Sequence, residues 1–105
     1  MNDELILGTE CKVKITLPEV GGISPYGYDF CVELYVNPKK RLIVAREECF
    51  PSENGIGEYI VPFDSSLVGI GDMTVEVVAY IPDDFFADGL RTERIRIESV
   101  ATLIP

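Results

Sequence analysis

The sequence predicts an all-β protein: one antiparallel sandwich of about seven strands, a single domain over residues 1–105. Three observations predict it. Apolar residues recur at every second position along most of the chain, which is the period of a half-buried strand. No window of about 11 residues carries the spacing of an amphipathic helix. The alternating runs are separated by loops of roughly 4 to 10 residues rich in Gly, Pro, Asn and Asp.

The first strand is "CKVKITL", with Cys11, Val13, Ile15 and Leu17 on one face and Lys12, Lys14 and Thr16 on the other. "PEVGGISPYG" follows as a loop. "YDFCVELYVN" then sets Phe30, Val32, Leu34 and Val36 against Asp29, Cys31, Glu33 and Tyr35. In "NPKK", Pro38 presets φ and Asn37 initiates a turn. "RLIVARE" is a third, shorter strand, and "CFPSENGIG" is a loop whose Asn54-Gly55 signals a hairpin. "EYIVPF" is a fourth, with Tyr59, Val61 and Phe63 on one side. Pro62 cannot donate to a ladder, so this strand is expected at an edge or near its end.

"DSSLVGIG" connects to the longest alternation, "DMTVEVVAYI", whose inward residues are Met73, Val75, Val77, Ala79 and Ile81. "RTERIRIESVATLI" supplies one or two further strands. Ile95 and Ile97 face in, Arg94, Arg96 and Glu98 face out, and Val100, Thr102 and Ile104 continue the ladder after a break near Ser99. Strands of this number and spacing indicate an immunoglobulin-like sandwich, with a small open barrel as the alternative. The chain has no Trp, so the Cys…Trp…Cys spacing of antibody domains is missing.

Composition narrows function mainly by exclusion. Nine Lys and Arg against 18 Asp and Glu give a net charge of −9. That field repels phosphate backbones and anionic lipid, so neither nucleic acid nor membrane is an expected partner. There is no His, which removes the commonest general base and the commonest transition-metal ligand. No catalytic residue and no cofactor is therefore assigned, and the chain reads as a non-enzyme. Cys11, Cys31 and Cys49 are odd in number and form no CxxC pair, so they read as thiols; a Cys11–Cys31 disulfide is the alternative. The acidic start with its short Leu5-Ile6-Leu7 run does not resemble a signal peptide, which makes the cytoplasm the default location.

The segment "YIPDDFFADGLR", residues 80–91, holds the most suggestive cluster. Asp83, Asp84 and Asp88 precede Gly89, but their relative positions 1, 2 and 6 fit a calcium loop poorly, leaving at most a looser two-carboxylate site in an adhesion domain. The simpler reading is a connection in which Pro82 ends one strand and Asp88-Gly89 turns the chain. Phe85 and Phe86 then cap the core or make contacts. In "SPYGYDF", Tyr26 and Tyr28 either form a contact or sugar-stacking platform or cover the rim of a buried Phe30. The candidate binding residues are thus Tyr26, Tyr28, Phe85 and Phe86, with a carbohydrate- or ligand-binding module as the alternative function.

One block resembles a known family. Residues 64–97 run from Asp64 through a Leu67-x-Gly69-x-Gly71 turn into a long alternating strand. Ile81-Pro82-Asp83, a Phe86-x-Asp88-Gly89 turn and an Arg-rich strand follow. This order resembles the N-terminal domains of tail and baseplate-type proteins from prophages of gut bacteria, broadly like the N-terminal modules of phage upper-baseplate proteins. The resemblance implies a non-enzymatic structural module that docks a longer assembly, with protein subunits as partners, homo-oligomers among them. It also implies a location in the virion after assembly.

Overall fold

A computed structural model shows the chain as two β-sheets; it describes residues 3–6, 8, 10–53 and 55–105, with the backbone alone for 3–5 and 98–100. Among the described residues the strands number eight: β1 (Asp3–Ile6), β2 (Glu10–Thr16), β3 (Asp29–Tyr35), β4 (Leu42–Ala45), β5 (Phe50–Pro51), β6 (Glu58–Asp64), β7 (Gly71–Pro82) and β8 (Leu90–Ile104). One sheet has the order β1-β8-β7-β3-β4 and the other β2-β6-β5. The described pairings are antiparallel except that of β1 with β8, which is parallel. The all-β, largely antiparallel sandwich expected from the alternation is present. The count exceeds seven because β1 and β5, four and two residues long, are too short to show a period.

The core lies between the sheets and uses the inward set of each strand. Ile15, Phe30, Val32, Leu34, Val61, Met73, Val75, Val77, Ala79 and Ile81 are all at most 2% exposed. Since side chains alternate across a strand, these positions can all be buried only if every register is held. Phe30 and Tyr59 join the two sheets edge to face, with ring centroids 5.0 Å apart. Burying a side chain of this size contributes about 1.5–3 kcal/mol, so the repeated apolar positions drive the fold.

Two expectations at strand level are corrected. Thr102 and Ile104 continue the ladder, but the inward set near the end of β8 is Ala101 and Leu103, at 1% and 0% exposure; the side chain of Val100 lies outside the described residues. Met73 pairs with Ala101, but Val75 pairs with Ile97, so β8 carries two extra residues there. An insertion of two preserves parity, and the odd-numbered positions stay inward on both sides of the irregularity. Thr102 accordingly points out, where its hydroxyl donates to Asp72 at 2.8 Å.

Pro62 is the other case. It sits in β6, the middle strand of its sheet rather than an edge. β5 reaches only Ile60 and Tyr59, so beyond them β6 has β2 as its ladder partner and Pro62 is tolerated. The Asn37–Lys40 turn forms as expected, closed by the Lys40 amide on the Asn37 carbonyl at 3.0 Å. Asn54 lies outside the described residues. No helix among the described residues is long and apolar enough to cross a membrane.

Candidate functional site

Strand direction gathers the sequence-predicted aromatic residues at one end of the sandwich. β3 begins there, because Asp29 opposes Tyr80 near the top of β7. β4 ends there, because Ala45 opposes Cys31. The β2–β3, β4–β5 and β7–β8 connections therefore converge. Together they line a shallow cavity of about 440 Å³ formed by Tyr26, Gly27, Tyr28, Asp29, Arg46, Tyr80, Pro82 and Leu90.

The two tyrosines have different roles. Tyr28 is 3% exposed and its hydroxyl donates to the Pro18 carbonyl at 2.7 Å, so it is largely core. Burial pushes its phenol above the ordinary range. Tyr26 is 51% exposed on the short turn Pro25–Gly27, which Ser24 caps by accepting the Tyr26 amide. The Tyr26 hydroxyl accepts the Gly57 amide at 3.1 Å, which anchors the ring from its far end. Gly57 is indispensable here: its φ is +75°, and a Cβ would stand 2.5 Å from the Leu17 carbonyl oxygen and 2.8 Å from Pro25.

The β7–β8 connection is a built loop. Pro82 pairs with Leu90 at its base. Asp83 accepts the Phe85 amide at 3.0 Å through one carboxylate oxygen, and the other holds Arg91 at 2.9 Å. The Asp83 amide donates to Gly89, the Gly89 amide to Phe86, and the Leu90 amide to Asp88. Asp83 and Asp88 are thus spent on separate turns, and the carboxylates do not converge on one point. Among the described residues no group of three or more potential ligands could hold a metal ion. Phe85 caps nothing: it is 98% exposed, and Phe86 is 48% exposed. Neither lines the cavity, so the structure divides the four candidate aromatics into a cavity pair and a loop-tip pair.

Away from this end, the outer face of the five-stranded sheet carries an ion-pair network. Glu33 and Glu76 oppose each other on β3 and β7 and are only 8% and 3% exposed. Arg41 reaches Glu33 at 2.5 Å and Glu76 at 2.8 Å, while Arg94 reaches Glu76 at 2.6 Å. Arg96 adds a longer contact to Glu76 at 3.4 Å. Arg41 also lies over the Tyr35 ring, 4.1 Å from its centroid. Burial alone raises the Glu76 carboxyl, but the hydrogen bonds and charges of Arg94 and Arg41 outweigh it and hold the group below the usual glutamate range.

The cysteines are thiols. Cys11 and Cys31 are both free, and Cys31 stands on the outward face of β3 with its thiol 3.9 Å from the Tyr80 hydroxyl, so the alternative disulfide is not formed. Burial, reinforced by Glu48 and Glu47, pushes the Cys49 thiol up to about 11.

Sequence reasoning also missed Arg46, Tyr80 and Asp29 in the cavity wall. The outward parity of Asp29 and Tyr80 was visible in their strands, but their opposition depends on register. Arg46 is visible only once the sheet order is known. Comparison with protein-family models, with curated proteins and with solved structures returned no match to this chain.

Proposed function

We propose that the chain is a non-enzymatic protein-interaction module that docks through the loop end of an immunoglobulin-like sandwich. The observation that carries this reading is Phe85, 98% exposed at the tip of a loop whose backbone is pinned by Asp83 and Asp88. A fully exposed aromatic gains about 1.5–3 kcal/mol when a partner buries it, and the pinned backbone confines the ordering cost to its side chain. Tyr26, Phe86 and Leu90 extend the apolar character of the same end, at 51%, 48% and 41% exposure.

Strand order supports the immunoglobulin-like part of the reading. β2-β6-β5 opposite β8-β7-β3-β4 follows the order of strands B-E-D and G-F-C-C′, in which the B–C and F–G loops serve recognition. The non-enzymatic part is supported by the carboxylate pair Glu33 and Glu76. A glycosidase acid needs a raised pKa, whereas guanidinium contacts lower that of Glu76.

The resemblance of residues 64–97 supplies the context: a tail or baseplate-type component of a prophage particle, carried in the virion. Mass spectrometry of particles induced from the producing bacterium tests it. The chain is expected in purified particles, and a Phe85→Ser, Phe86→Ser variant is expected to be incorporated at least about tenfold less while its melting temperature is unchanged. Particles without the chain, or equal incorporation of the variant, would overturn the reading.

The cavity favours a second reading, a carbohydrate-binding module, because Tyr26 and Tyr80 stand there with the polar groups of Asp29 and Arg46. Glycan-array binding lost on Tyr26→Ala would support it, and a flat array would remove it.

A further inference from the structure

We propose that the partner taking the loop end is a protein with an apolar socket rimmed by Lys and Arg: the socket receives Phe85 and the rim faces the carboxylates of the same end. The inference rests on the loop end being the docking surface and adds the chemistry of what docks there.

It begins from where the charge lies. The loop end comprises residues 18–29, 46–53, 55–58 and 82–93, since β2 ends and β6 begins there with Thr16 opposite Glu58, and β7 passes into β8 with Pro82 opposite Leu90. Those segments hold ten Asp and Glu against two Arg, a net −8 out of the −9 of the whole chain. The remaining eight acids and seven Lys and Arg nearly cancel. The acidity is thus concentrated on the end that carries the exposed aromatics, rather than spread as an even solubilising coat.

Little of this charge is neutralised in place. Arg91 is held by Asp83 at 2.9 Å, and Arg46 stands in the cavity wall. Glu47, Glu53 and Asp84 are exposed and have no ion-pair partner among the described residues. Asp83 and Asp88 serve the fold by accepting loop amides, whereas these three do not. Asp84 directly precedes Phe85, so an open carboxylate and a 98% exposed ring share one turn.

Shape and sign then select the occupant. Phe85 stands at a loop tip, so the concave half of the contact belongs to the partner. A field of this sign repels nucleic acid and anionic lipid, and two loop ends of this chain repel each other. A cationic protein surface is what it attracts. Complementary charge raises the encounter rate and rejects acidic competitors, while burial of the aromatic supplies the affinity.

The probe is the chain with photoreactive benzoylphenylalanine in place of Phe85, irradiated in the cells that produce it. The expected cross-link is to one other protein, at a segment rich in Lys or Arg. With that protein purified, the combined change Glu47→Gln, Glu53→Gln, Asp84→Asn should slow association at least about tenfold at about 0.05 M salt. It should make no difference at about 1 M, where the screening length is about 3 Å. Glu10→Gln, at the opposite end of β2, should change neither rate, and both variants should melt like wild type. A cross-linked partner that loses Phe85→Ser yet is indifferent to salt and to the neutralised acids overturns this inference and leaves the docking reading standing. A cross-link to a second copy or to an acidic surface overturns the basic socket as well. No cross-link at position 85 overturns both.

Discussion

Glu33 and Glu76 stand directly opposite one another on adjacent strands, both nearly buried, and share Arg41 and Arg94. Two like charges in opposed positions normally destabilise a sheet. Here the guanidinium groups supply the burial as well as the counter-charge, so the pair exists only while the arginines cover it. Glu76→Gln should cost about 1–2 kcal/mol near neutral pH, less than a fully enclosed pair because Arg94 and Arg96 are half exposed. Urea unfolding measures it, and an unchanged midpoint would remove the network from the stability argument.

The same group sets an acid dependence. The folded carboxyl of Glu76 titrates below the ordinary glutamate range, so its contribution is complete above that range and is lost as pH falls through the lower folded value. The gap between wild type and Glu76→Gln should thus begin to shrink as pH falls below the ordinary glutamate value of about 4.3 and close only below the lower folded value. A gap that persists unchanged to lower pH would contradict the assignment.

Gly57→Ala should destabilise by about 2 kcal/mol or more, since it combines a positive φ with a contact against backbone. Because the Gly57 amide anchors Tyr26, the change should also alter the fluorescence or nuclear magnetic resonance signals of Tyr26. A variant as stable as wild type would mean that the turn relaxes freely.

Cys49 should resist alkylation. With its thiol at about 11, the thiolate fraction at pH 8 is about a hundredfold below that of an unperturbed cysteine, and the group is 6% exposed. Iodoacetamide labelling read by peptide mass spectrometry should find Cys49 last in the native chain and equal to the others in guanidinium. Early native labelling of Cys49 would refute this.

Asp83 and Asp84 are neighbours with unequal roles. Asp83→Ala removes an amide acceptor and the Arg91 ion pair and should cost about 1 kcal/mol, with faster amide exchange across the loop. Asp84→Ala should change stability by less than about 0.5 kcal/mol. Equal effects would mean that the loop is held by something other than Asp83.

Much of the sandwich was legible because burial between two sheets imposes a period of two, and β2, β3, β6 and β7 display it without interruption. What stayed hidden was set by pairing rather than by pattern. β1 and β5 are too short to carry a period, and past Ile97 the apolar residues of β8 fall at both parities, Val100 and Ile104 as well as Ala101 and Leu103, so the pattern alone does not say which set faces in. Likewise, Tyr26 and Phe85 were legible as loop aromatics, yet Tyr28 became core because its hydroxyl finds the Pro18 carbonyl. The burial of Glu33 and Glu76 was illegible for a different reason: outward parity normally means solvent, and only the reach of Arg41 and Arg94 reverses it.

The parallel pairing of β1 with β8 has a mechanical consequence. Asp3 stands beside Ala101 and Ile6 beside Ile104, so tension applied between residue 3 and residue 104 runs along the two strands in opposite senses. The ladder is then loaded in shear, and its four registered pairs must give way together, where antiparallel strands pulled from their open end would unzip in succession.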